Sequence, residues 1–211
     1  MNVTHPSDER DIRDQIIKIV HRACNQGLMI SSYGTVSVRW RDNDFLITPP
    51  GIPRWDLEQE NIVQVKDGKV EAGKIPSRSV ALHQEIYQSN PKINSIILTQ
   101  PPNIMGYCTS GVKFNVRTIP ESWIFLRDVP TVPFGMQYEI TRIAELLKVN
   151  PAILLSNDSI LVTGDALLNT FDRLEVAEFS AKSLIMGMSI GTLQPITDEE
   201  VDTLRVAFNV E

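Results

Sequence analysis

Ser77, Arg78 and Ser79 follow Ile75-Pro76 and precede an apolar-periodic run, so two hydroxyls and a guanidinium gather where a helix should begin. Backbone N–H groups at such a start carry partial positive charge, and an arginine fork pairs with two oxygens of a phosphate or carboxylate. The chemistry on offer is anion holding. A plainer explanation stands beside it: Ser77 or Ser79 caps the helix and Arg78 is solvated. Two further polar clusters close apolar runs, Thr99-Gln100 and Asn157-Asp158. Asp158 offers a general base, with Ser79, Thr99 and Gln100 as orienting groups. The same residues also fit ordinary turns.

What the chain lacks narrows the choice. It has no G-x-G-x-x-G, P-loop, C-x-x-C, H-E-x-x-H or G-x-S-x-G pattern. The three histidines, His5, His21 and His83, are not spaced as metal ligands. No metal or cofactor is expected from the residues. Cys24 and Cys108 lie far apart and read as reduced thiols of a cytoplasmic protein.

These residues need elements to position them. Ser7 to Gln26 reads as a helix with Ser7 at its N-cap, Ile12, Ile16, Val20 and Ala23 on one stripe, and Gly27 as the stop. Thr35–Trp40 alternates and pairs with Phe45–Thr48 across Arg41 to Asp44. Prolines at 49, 50 and 53 deny regular structure there. Ile62–Val65 and Lys69–Glu71 form a second hairpin around Asp67-Gly68. The helix after Ser79 carries Val80, His83 and Tyr87 on one face and ends near Asn90-Pro91, before a buried strand at Ser95–Thr99.

Pro101–Ser110 begins with prolines that suit a first helical turn. Val116–Phe134 shows strand character only around Val129–Val132. Tyr138–Val149 is helical, and Ala152–Leu155 and Ile160–Thr163 are short strands flanking the Ser156–Ser159 break. Thr170–Met188 is a helix with Leu174, Ala177, Ala181, Leu184, Ile185 and Met188 on one stripe. Asp198–Val210 is a helix introduced by Thr197. Hairpins with helices between and after them predict a mixed α/β sandwich rather than a doubly wound parallel sheet.

With 211 residues, 42% of them apolar, the chain suits a single domain spanning residues 1–211. A net charge of −6 argues against nucleic-acid or anionic-membrane partners. No apolar run reaches membrane-span length, and the first residues lack the basic and apolar segments of a signal peptide.

Several motifs occur together in a familiar order: Gly34-Thr35-Val36-Ser37-Val38-Arg39, Leu46-Ile47-Thr48-Pro49-Pro50-Gly51-Ile52-Pro53, Leu82 to Pro91, and Pro195 to Glu200. In this the chain resembles the class II aldolase/adducin family, most closely its L-fuculose-1-phosphate aldolase branch. The resemblance implies an α/β/α sandwich with a mixed, mainly antiparallel central sheet. It also implies a four-fold homotetramer with sites between subunits. Members of that family hold zinc with an H-x-H pair and a third histidine, beside a glutamate acid/base. The H-x-H positions fall here on Leu98-Thr99-Gln100, the third histidine on Asp158, and the glutamate on Ser79. None of those four residues is kept. The family's phosphate cradle falls on Gly34-Thr35, Pro50-Gly51 and Ser77-Arg78. A tyrosine contributed by a neighbouring subunit would fall near Trp123 or Ile124.

Three functions follow. The foremost is a pseudo-aldolase, a non-catalytic or regulatory subunit like the adducin head domain, alone or with an active paralogue. The second is a metal-independent enzyme of lyase or isomerase type that reuses the pocket. In it Arg78, Asp158 and Ser79 act, and a small anionic ligand meets Gly34, Thr35, Gly51, Ser77, Arg78, Thr99 and Gln100. The third is a zinc-dependent sugar-phosphate aldolase. One geometric expectation separates the first two. An ion pair between Arg78 and Asp158 would fill the pocket and favour the non-catalytic member, whereas an open pocket around Arg78, Gln100 and Asp158 would favour the metal-independent enzyme.

Overall fold

A computed structural model describes residues 8–209, so His5 and the Ser7 N-cap lie outside the described residues. The first helix, α1 (Glu9–Asn25), is capped instead by Asp8, whose carboxylate accepts the Arg10 N–H at 3.1 Å. Gly27 ends this segment with φ +70°, a left-handed turn that glycine adopts without a Cβ penalty.

Eight strands follow in one sheet: β1 (Thr35–Arg41), β2 (Asp44–Ile47), β3 (Val63–Lys66), β4 (Lys69–Val70), β5 (Ser95–Thr99), β6 (Thr131–Val132), β7 (Ala152–Leu155) and β8 (Ser159–Gly164). Their spatial order is β4-β3-β2-β1-β5-β8-β7-β6. All neighbours are antiparallel except β6 and β7. The remaining helices are α2 (Val80–Ser89), α3 (Pro102–Ser110), α4 (Pro120–Leu126), α5 (Ile140–Leu146), α6 (Leu167–Ile190) and α7 (Asp198–Phe208).

Strand alternation builds the layers. Val36, Val38, Leu46, Ile97, Ala152, Leu154, Ile160 and Val162 face one core, shared with α1, α3, α4 and α6. Phe45, Ile47, Ile96, Ile153, Leu155 and Leu161 face the other, shared with α2 and α5. The result is the α/β/α sandwich with a mixed, mainly antiparallel sheet.

Several boundaries differ from the sequence pattern. The segment from Tyr138 to Val149 splits into a 3-10 turn at Met136–Tyr138 and the shorter α5, because Glu139 between them leaves helical geometry at φ −81° and ψ 70°. Helix α4 was not visible in the ambiguous segment from Val116 to Phe134; Pro120 at its first turn was the available signal. Its Trp123 is buried, with Arg127 and Arg205 over the ring. Helix α6 begins three residues before Thr170, and its Ile185 and Met188 are exposed although Leu174, Ala177, Ala181 and Leu184 are buried. Thr197 caps α7 in a reciprocal capping box with Glu200. No helix among the described residues is long and apolar enough to cross a membrane.

Candidate ligand-binding cleft

Strand register brings the polar residues together. Thr35 of β1 pairs with Leu98 of β5, Leu98 with Leu161 of β8, and Leu155 of β7 with Ser159 of β8. These strand ends share one edge of the sheet, where the loop into α2 also arrives, since Ser77 N–H donates to Thr48 O at 3.2 Å. A cavity of about 670 Å³ opens there, within the range of small-ligand sites. Gly34, Thr35, Gly51, Ser77, Arg78, Ser79, Gln100 and Asp158 all line it.

Thr99 does not join them. Its side chain is fully buried, and its hydroxyl donates to Leu28 O at 2.6 Å. The pleat is the reason: Leu98 and Gln100 project on the α2 side, and the residue between them must project on the other. Thr99 instead supports the cleft floor. An added Cβ on Gly34, which sits at φ +88°, would stand 3.1 Å from Thr99 Oγ1.

Three hydroxyls form a triangle at the helix start. Thr35 Oγ1 and Ser77 Oγ lie 2.8 Å apart, Ser77 Oγ and Ser79 Oγ 3.1 Å apart, and Ser79 Oγ donates to Thr35 Oγ1 at 3.4 Å. Neither serine caps α2 as the plainer explanation held, since Ser79 occupies the cap position without a side-chain cap bond, but Arg78 is exposed as that explanation expected. The first-turn residues Ala81 and Leu82 line the cleft, so the positive end of the helix faces it.

Arg54 also lines the cleft and is 2% exposed. Its guanidinium donates to Gly34 O at 2.7 and 3.1 Å, to Pro49 O at 3.1 Å and to Ile52 O at 3.2 Å. It thereby ties the turn at Gly34 to the proline-rich loop that carries Gly51. Burial pulls its pKa below the ordinary arginine value, yet a guanidinium stays charged at neutral pH. No ion pair among the described residues includes Arg54 or Arg78. The anticipated Arg78–Asp158 pair is therefore not formed. Asp158 instead accepts a hydrogen bond from Ser159 Oγ at 2.7 Å, within the tight turn where Asn157 takes φ +56°. The cleft stays open, with Arg54, Arg78 and Asp158 all in its lining.

The donor set does not fit a zinc ion. Among cleft-lining residues only Asp158 carries a carboxylate, Gln100 offers a neutral amide, and Leu98 has no donor atom. Among the described residues no group of three or more His, Cys, Asp or Glu side chains is placed to hold a metal. His83 is not in the lining. It is fully buried between α2 and β1, with Nδ1 2.7 Å from Ser37 Oγ, which also meets Tyr87 Oη at 2.7 Å. Burial holds its imidazole pKa down to about 3. Behind the cleft, burial and then the nearby Asp158 charge push the Cys108 thiol up to about 12.

Sequence reasoning missed Tyr33, Arg54, Gln137 and Tyr138, which also line the cleft. For Arg54 the signal was its place directly after Pro49 to Pro53. Gln137 and Tyr138 were hidden inside a segment read as helix.

Residues 14–185 match the model of the Class II Aldolase and Adducin N-terminal domain. The chain is 30% identical over 209 residues to L-fuculose phosphate aldolase of Escherichia coli (strain K12), covering 94% of this chain and 93% of that one. It is 27% identical over 205 residues to 3-oxo-tetronate 4-phosphate decarboxylase of the same strain, covering 93% and 96%. Among solved structures, YgbL of Escherichia coli superposes with a TM-score of 0.85 at 25% identity, over 93% of this chain and 99% of that one. Family model, relatives and solved structure agree, and the chain belongs to the class II aldolase and adducin family.

Proposed function

We propose that the cleft binds a small phosphorylated polyhydroxy compound, and does so without the zinc-centred carbon–carbon cleavage that the family resemblance implies. The chain then serves as a non-catalytic or regulatory member, a pseudo-aldolase. One observation carries the binding site: Arg78 lines an open cleft with no ion-pair partner among the described residues, beside the Thr35–Ser77–Ser79 hydroxyl triangle. The non-catalytic role is supported by the missing zinc donors among the described residues, whereas the open cleft itself is what the metal-independent enzyme requires. Two cations, three hydroxyls and a helix N-terminus suit the oxygens of a phosphate. The names of the two relatives above each contain a phosphorylated small molecule, which supports the choice of anion.

Calorimetric titration with inorganic phosphate and L-fuculose 1-phosphate tests binding. Arg78→Ala should weaken both about 10- to 100-fold, the worth of one charged hydrogen-bonded contact. Elemental analysis and a zinc-supplemented cleavage assay test the rest. Stoichiometric zinc with turnover that a chelator abolishes would restore the aldolase.

A second function draws on the unpaired state of Asp158. A carboxylate not neutralised by Arg78, in the same cleft as a bound anion, is available to take a proton. In a metal-independent lyase or isomerase it would be the base, with Arg78 holding developing negative charge and Ser79 and Gln100 orienting the substrate. Turnover of a sugar phosphate that survives chelation and is lost in Asp158→Asn would favour this over a binding role.

Assembly as a homo-oligomer, a four-fold tetramer or a mixed ring with an active paralogue, is part of the same proposal. Exposed Ile185, Met186, Met188 and Ile190 on α6, with Val206 and Phe208 on α7, support burial against another copy. Mass measurement in solution tests it. The two buried free cysteines support a reducing, cytoplasmic setting.

A further inference from the structure

Eight buried side-chain atoms lack a hydrogen-bond partner among the described residues, and of these only Gln137 Nε2 belongs to a residue lining the cleft. Gln137 is 8% exposed and sits in the 3-10 turn Met136–Tyr138. Its orientation is not arbitrary. Gly135 N–H donates to Gln137 Oε1 at 2.8 Å, so the oxygen is committed to the loop and the amide edge left over is the Nε2 donor. That bond depends on Gly135 standing at φ +96°, a conformation that costs glycine little. The loop is thus shaped to hold the amide with its acceptor occupied and its donor idle. A buried N–H with no acceptor costs stability, and natural structures keep few of them without a use.

We infer that Gln137 is a specificity-determining residue that donates its Nε2 N–H to an acceptor oxygen of the ligand, away from the anion-holding wall of Arg78 and the hydroxyl triangle. This rests on the cleft being the ligand site proposed above. Tyr138, the next residue, is 74% exposed and lines the same cleft, so its ring can turn aside as a ligand enters. Asp158 is an acceptor, and Gln100 offers either function, so Gln137 is the member of this set restricted to donation. It therefore favours a ligand presenting a further acceptor oxygen, such as a carbonyl, beyond the phosphate oxygens taken by Arg78 and the hydroxyl triangle.

The test uses the full chain with inorganic phosphate and ribulose phosphate as probes. Gln137→Glu keeps the acceptor for Gly135 and replaces the donor by an oxygen; Gln137→Met removes both. Gln137→Met should bind inorganic phosphate within about twofold of wild type and lose about tenfold in affinity for ribulose phosphate, the worth of one neutral hydrogen bond; Gln137→Glu adds a negative charge to the cleft and should weaken both. The side-chain amide resonances of Gln137, assigned by their absence in Gln137→Glu, should move on adding ribulose phosphate and stay with inorganic phosphate. Unmoved resonances, or ribulose phosphate affinity unchanged in Gln137→Met, would overturn the assignment while leaving the phosphate site standing. Failure of wild type to bind either probe would remove the cleft proposal and this inference with it.

Discussion

Acidification should reveal His83 as a buried neutral histidine, and the size of the effect follows from its surroundings. The ring has no exposed surface, Nδ1 is taken by Ser37, and Nε2 has no partner among the described residues. Burial lowers its pKa from 6.5 to about 3. In the unfolded chain the ring takes its proton near its ordinary pKa, about 6.5. Between those two values the unfolded state binds one more proton than the folded state, so stability falls as pH falls. The slope is about 1.4 kcal/mol per pH unit, and about 2.5–3 kcal/mol is lost on reaching about pH 4.5. The loss levels off below about pH 3, where the folded ring protonates too.

Urea unfolding followed by circular dichroism across this pH range, for wild type, His83→Gln and Ser37→Ala, isolates the effect. Carboxylates titrate alike in all three, so the difference between wild type and His83→Gln reports the imidazole. Ser37→Ala keeps the ring and should keep the slope, while costing about 1–3 kcal/mol at every pH by stranding Nδ1. Parallel pH profiles for wild type and His83→Gln would refute the buried neutral imidazole.

Other outcomes follow from the same structure. Arg54→Met strands carbonyls of Gly34, Pro49 and Ile52 and should cost about 3–5 kcal/mol in the urea midpoint. Arg54→Lys should recover only part, since one ammonium cannot match the planar fork; full recovery would show that charge alone matters. Burial raises the pKa of both Cys24 and Cys108, so native protein should resist a disulfide reagent at neutral pH and release both thiols in urea. Fast labelling of either in the native state would contradict that burial.

Local pattern carried much of the fold into view. Alternation in Thr35–Trp40 and the apolar run of Ser95–Thr99 marked strands, Gly27 marked a helix end, and Thr197 marked a start, because each signal acts over a few residues. The pocket set of Gly34, Thr35, Gly51, Ser77, Arg78, Ser79, Gln100 and Asp158 was legible through motif order. Thr99 was not separated from its neighbours, although the two-residue period of a strand already required it to face away from Leu98 and Gln100. The α4 helix and the turn at Met136–Tyr138 escaped because their short lengths leave too little periodicity to register.

Residue types by themselves determined that the cleft offers no histidine, one arginine at the helix start and one aspartate at the hairpin, and this limits the chemistry whatever the packing. Only the tertiary structure decided how those charges are used. Pairing between distant side chains depends on strand register and loop geometry, which leave Arg78 without an ion-pair partner among the described residues, while Asp158 accepts only from its chain neighbour Ser159 among them. The burial of Arg54 under Gly34 and Pro49, and the idle donor of Gln137, were likewise settled by three-dimensional placement. A side chain's hydrogen-bonding state is set by what surrounds it in space, and neighbours in the chain do not specify that.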